Sequence, residues 1–151
     1  MATVGDRLGT RIYLDANIII YAVEGFLAYA DTIQALLMAM DNAEIVAVTS
    51  ELTLAEVLVK PMKDGKTEIQ QAYRDFLQST SVFEIIPISR EILESAAQLR
   101  ATMNFKLPEA IHEATAQQQS CDTFLTNDLR FKSSGVANIK LISEISLISP
   151  P

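Results

Sequence analysis

The sequence predicts an α/β domain built on a central parallel sheet of four to five strands. Three observations carry this. Short apolar segments rich in β-formers alternate with longer segments of helical period. The second and fourth of these short segments, Ile45 to Thr49 and Asp122 to Thr126, suit strands covered by helices on both faces. Hydrophobic residues make up 49% of 151, enough for one core and too many for a disordered chain.

The elements follow in order. Residues 1–10 read as a flexible N-terminal tail, and 11–148 as one domain. Residues 11–15 are strand one, and a helix begins over 17–22. A longer helix spans about 26–40, with Leu27, Ile33, Leu36, Leu37 and Met40 near helical spacing. Strand two is 45–49. Helices follow over about 53–60 and 66–77, then strand three over 82–88. Residues 90–103 form a helix that turns Ile92, Leu93, Ala96, Ala97 and Leu99 inward. Pro108 suits the opening of the next helix, where its missing N–H is unpaired anyway, and that helix runs to about Gln119. Strand four covers 122–126 and a fifth strand 139–142; Ser149-Pro150-Pro151 is a loose end.

The totals exclude several classes. No run of about eighteen apolar residues occurs, so no membrane span is predicted. The opening MATVGDRLGT lacks the apolar centre of a signal peptide, so a cytoplasmic location is expected. The lone Cys121 leaves no internal disulfide and no cysteine metal site. A net charge of −7 lowers the expectation of a nucleic-acid binder, which usually shows a basic face. Acids gathered around cations in one pocket would leave the remaining surface closer to neutral.

In parallel sheets, ligands bind outside the carboxyl ends of the strands. Four acids from distant segments fall on that edge: Asp15 closing strand one, Glu56 early in the helix after strand two, Glu109 opening the helix into strand four, and Asp128 just beyond strand four. Each has a local explanation. Asp15 and Asp128 could cap the turns after them, Thr53-Leu54-Ala55-Glu56 fits a capping box, and Glu109 complements a helix N-terminus. Together they strain those explanations. Ionised carboxylates about 6 Å apart repel by roughly 3 kcal/mol a pair at an effective dielectric near 20. Six such pairs exceed the whole stability of a domain, about 5–15 kcal/mol. A cluster of this kind binds metal or holds some acids protonated. All-oxygen ligands suit Mg²⁺ or Mn²⁺, and carboxylate-held divalent ions suit phosphoryl transfer.

The segments RIYLDANIIIYAVEG, TLAEVL, KLPEAIHEATA and CDTFLTNDLRF resemble, in order and spacing, the successive motifs of the PIN-domain family, and most closely its VapC-type toxins. The likeness runs from about Arg11 to Ile142. It implies a three-layer α/β/α fold, an acidic pocket for Mg²⁺ or Mn²⁺, and endoribonuclease activity that cleaves RNA phosphodiesters with metal-activated water. It implies an antitoxin protein as partner and a homodimer. Carried over residue by residue, Asp15, Glu56 and Asp128 stand at the family's acidic positions, Thr126 at a hydroxyl position near the pocket, and Asn17 at a polar position after the first Asp. Glu109 departs from the pattern, since the family usually has Asp there. One extra methylene lengthens the reach by roughly 1.5 Å. That keeps open a second reading, a weakened PIN-like module that binds RNA or a partner protein without cutting.

Other residues are weighed beside these. Glu113, one turn beyond Glu109, is a candidate second support for the pocket, against an equal case for a solvated position. Arg130 neighbours Asp128 and is a candidate phosphate contact. Lys60, Lys63 and Lys66 read as a solvated face, and the lone His112 as a surface or partly packed residue. Asp122 belongs to the opposite edge. A dehalogenase-like phosphatase would need a second acid where Asn17 stands, and a receiver domain an Asp near Pro87-Ile88-Ser89.

Overall fold

The computed structural model describes residues 3–136 and 138–145. The expected loose end at Ser149-Pro150-Pro151 and the domain limit at 148 lie outside them, as do residues 1–2. The five strands are β1 (Arg11–Leu14), β2 (Val46–Ser50), β3 (Phe83–Ile86), β4 (Thr123–Thr126) and β5 (Ile139–Leu141). All pair in parallel, in the order β3-β2-β1-β4-β5. Chain order therefore reverses direction between β1 and β4, and a crevice opens at their carboxyl ends.

Helices cover both faces. Side chains alternate along β1: Ile12 and Leu14 enter one core, and Tyr13 enters the other. The first core is completed by α1 (Val4–Leu8), α2 (Ala16–Glu24), α3 (Ala30–Asp41), α4 (Glu51–Lys63) and α5 (Thr67–Phe76), through residues such as Ile18, Leu36, Val57 and Tyr73. The second is completed by α6 (Arg90–Thr102), α7 (Leu107–Gln118) and α8 (Leu129–Lys132), through Ile92, Ala110, Ala114 and Phe131. The result is the three-layer α/β/α arrangement that the strand-helix alternation predicts. Among the described residues, no single helix is long and apolar enough to cross a membrane.

Three local differences have physical causes. Within the expected tail, Val4–Leu8 forms α1: Thr3 and Asp6 close a capping box, and Val4 and Leu8, one turn apart, are both buried. Helix α4 begins at Glu51, two residues before the expected start, because the Ser50 hydroxyl accepts from Leu52 N–H and caps it there. Thr53 is thus inside the helix, its hydroxyl 2.7 Å from that of Thr49, and the expected Thr53–Glu56 capping box does not form. The same helix passes through Pro61 and ends two residues later at Lys63, with the Pro61 carbonyl accepting from Lys66 N–H and the Gln70 amide.

Candidate metal and nucleic-acid site

Asp15 follows β1 directly and caps α2, its Oδ1 accepting from Ala16 N–H at 2.8 Å. Its Oδ2 accepts from the Thr126 hydroxyl at 2.6 Å. That same hydroxyl oxygen accepts from Asp128 N–H at 3.0 Å, so one threonine at the end of β4 links two acids from different strands. Asp15 is 6% exposed. Burial raises its pKa above the ordinary carboxyl range, and the Glu56 charge adds to this. His112, the Thr126 hydroxyl and Ala16 N–H pull it part of the way back.

Asp15, Glu56, Glu109 and Asp128 open on one pocket of about 370 Å³, together with Asn17 and Arg130. The pocket lies at the crevice between β1 and β4. Glu113 is not among its lining residues. It is fully buried one turn further along α7, where Oε1 accepts from the Gln117 amide and Oε2 has no partner. The solvated position weighed for it is therefore not the one it takes, and burial pushes its pKa up to about 7. Asp122 sits at the opposite edge, as expected.

Ionised acids gathered in one pocket can be relieved in two ways, by metal or by protonation. The structure adds a third. Arg130 reaches back over Asp128, with Nη2 at 2.8 Å and Nε at 3.1 and 3.2 Å from its carboxylate oxygens. Its Nη1 also lies 3.1 Å from Glu109 Oε1. The guanidinium holds the Asp128 pKa below the usual carboxylate range. Glu109 Oε2 turns back to accept from Lys106 N–H at 3.2 Å, closing the helix end as its position predicts. Glu56 bonds His112 Nε2 at 2.5 Å. Glu109 and Asp128 are thus drawn to Arg130 and Glu56 to His112, and among the described residues no group of three or more Asp, Glu, His or Cys is arranged to hold a metal. The donor chemistry still fits a hard divalent ion. Four carboxylates share the pocket, and its one imidazole is committed to Tyr13 and Glu56.

Two lining residues escape the sequence reading. Lys106 precedes the helix and lines the pocket. His112 is 1% exposed, whereas a surface or partly packed site was expected. Its spacing from Glu109, three residues along one helix, was the available signal, since such pairs share a face. Lys60 instead pairs with Asp64 at 3.2 Å, and the three-lysine cluster does not line the pocket. Tyr13 packs in the core, stacked on Phe124 at 4.8 Å between ring centres, while Tyr21 and Tyr29 cluster with Phe26.

Comparison with known proteins is decisive at the level of family: the PIN-domain family model matches residues 12–136. The chain belongs to the PIN-domain family. Among solved structures it is similar to a toxin–antitoxin complex from Klebsiella pneumoniae, at 29% identity over 87% of this chain and 97% of that one, with a TM-score of 0.63. In fold it also resembles VapBC2 from Rickettsia felis bound to a promoter DNA fragment (21% identity, 87% and 98% of the two chains, TM-score 0.68). The VapC20 toxin of Mycobacterium tuberculosis, described as cleaving the sarcin–ricin loop, matches similarly at 16% identity, over 85% and 98% of the chains, with a TM-score of 0.67. Among curated proteins, no sequence match is found.

Proposed function

We propose that this PIN-domain chain is a Mg²⁺- or Mn²⁺-dependent endoribonuclease and the toxin of a toxin–antitoxin pair. The observation that carries the reading is the convergence of Asp15, Glu56, Glu109 and Asp128 on one pocket at the switch point of the sheet. Membership of the family and likeness to toxin structures support it. The four carboxylates would hold the divalent ion, which supplies Lewis-acid stabilisation and a more acidic water when bound.

The chain's own residues have definable parts. Thr126 and Ala16 N–H fix the Asp15 carboxylate, and Asn17 borders it. Arg130, 60% exposed on the rim of the pocket, is placed to meet a substrate phosphate. Lys106 offers a second cation on the same rim. Water adds to phosphorus as the bond to the 3′ oxygen breaks, leaving a 5′-phosphate and a 3′-hydroxyl. The protein works in the cytoplasm as a homodimer, inhibited by an antitoxin.

Titrating Mg²⁺ and Mn²⁺ against cleavage of a structured RNA tests this. Cleavage should require the ion, stop with EDTA, and yield 5′-phosphate ends; metal-independent cleavage contradicts it. The Glu109–Arg130 pair favours one second reading, a binding module with a weakened centre. Glu109→Asp separates the two. A gain of about 100-fold in rate, the scale of a 1 Å realignment, favours the weakened centre, and a loss favours an active one adapted to glutamate.

A further inference from the structure

His112 is the chain's only histidine, and it is buried between two partners. Its Nδ1 lies 2.5 Å from the Tyr13 hydroxyl, and its Nε2 lies 2.5 Å from Glu56 Oε1. Chemistry orders the protons along this chain. A carboxylate only accepts, so Nε2 donates to Glu56. In a neutral imidazole, Nδ1 then carries the lone pair, so the Tyr13 hydroxyl donates to it. Tyr13 is 0% exposed and stacked on Phe124, and burial holds it in the hydroxyl form.

The chain also crosses the molecule. His112 belongs to α7, packed on one face of the sheet, and Glu56 to α4, packed on the other. They meet over the carboxyl edge, where His112 lines the same pocket as Asp15 and Glu56. The Glu56 side chain is 34% exposed, so without this bond a flexible glutamate would sample several rotamers in water. One fixed oxygen removes most of that freedom.

We propose that His112, ordered as the Nε2–H tautomer by Glu56 and held in place by the Tyr13 hydroxyl on Nδ1, is a positioning residue that carries Glu56 across the sheet edge and sets it as a ligand for a divalent cation. The proposal rests on the reading of Glu56 as a cation ligand. It assigns to the Tyr13–His112 pair a role that packing alone does not require.

Two measurements on the full chain test it. Two-bond ¹H–¹⁵N correlation of the imidazole should show Nε2 protonated and Nδ1 bare; a protonated Nδ1 overturns the assignment. Mn²⁺ affinity, followed by electron paramagnetic resonance of free ion, should fall about 10–100-fold in His112→Leu, the usual effect of removing a partner of a ligand. His112→Gln keeps an N–H that can reach Glu56 and should return to within about 5-fold of wild type. If the leucine variant fails to fold by circular dichroism, Tyr13→Phe takes its place. It removes the donor to Nδ1 while Glu56 still takes the Nε2 proton, and should leave Nε2 protonated with Mn²⁺ affinity about 3-fold weaker. A merely structural histidine predicts lower melting temperature with unchanged Mn²⁺ affinity, and that result overturns the proposal. Absence of Mn²⁺ binding in wild type, with the tautomer as expected, defeats the cation site itself and this role with it.

Discussion

Asp15 and Asp122 are the same residue at opposite ends of the sheet, and they are held in opposite ways. Asp122 lies at the amino edge, where Oδ2 accepts from Thr10 N–H at 2.8 Å and Arg11 N–H at 3.0 Å. Those backbone donors draw its pKa below the ordinary value. Nearby, Arg11 pairs with Glu84 at 2.9 Å. Asp15 lies at the carboxyl edge with one backbone donor and one hydroxyl, and its pKa is driven up by burial beside another carboxylate. An acid satisfied by the backbone stitches the fold together. An acid buried among acids works against folding, and its presence points to a ligand.

Glu113 sharpens the contrast, because it is buried without belonging to either edge's network. Its folded pKa of about 7 stands above the ordinary 4.5. The folded protein therefore binds more protons than the unfolded chain between those values, and stability falls as pH rises. The contribution is full below about pH 4.5 and lost through about pH 7, a span worth up to roughly 3 kcal/mol. Glu113→Gln should thus exceed wild type in urea-unfolding stability by up to that amount at pH 8, with the gap closing by pH 4.5. Parallel stability–pH curves for the two proteins would break the distinction between buried and backbone-held acids.

A smaller effect is expected at the amino edge. Asp122→Ala removes the acceptor of two backbone N–H groups and of the Thr10 hydroxyl at an exposed site and should cost about 1 kcal/mol. The loss should be nearly independent of pH above 5, because the wild-type group is already ionised there. Thermal melts at pH 6 and 8 check this, and a cost that changes with pH between them would count against it.

Much of the frame was legible because it rests on local pattern. Each predicted strand appears within two residues, and alternation along Arg11–Leu14 divides the two cores as a buried strand should. The acids were placed by their positions after strands and at helix starts, and all four reach one pocket. What sequence could not convey were partners far apart in the chain. Glu56 finds His112 across 56 residues, and Tyr13 finds it across 99. Residues Val4–Leu8 escaped because five residues carry too little periodicity, and their burial depends on packing against α3. The start of α4 was misplaced because Ser50 and Thr53 are both good caps, and only the backbone at the end of β2 decides between them.

The most direct test places the two aspartates in one assay. RNA cleavage is measured at matched Mn²⁺ for wild type, Asp15→Asn and Asp122→Ala, each shown folded by its melt. Asp15→Asn should lose at least about 100-fold in rate while Asp122→Ala stays within about 2-fold, since only the first removes a carboxylate from the pocket proposed as the site. Equal losses in both, or full activity in Asp15→Asn, would contradict the assignment of catalysis to the carboxyl edge.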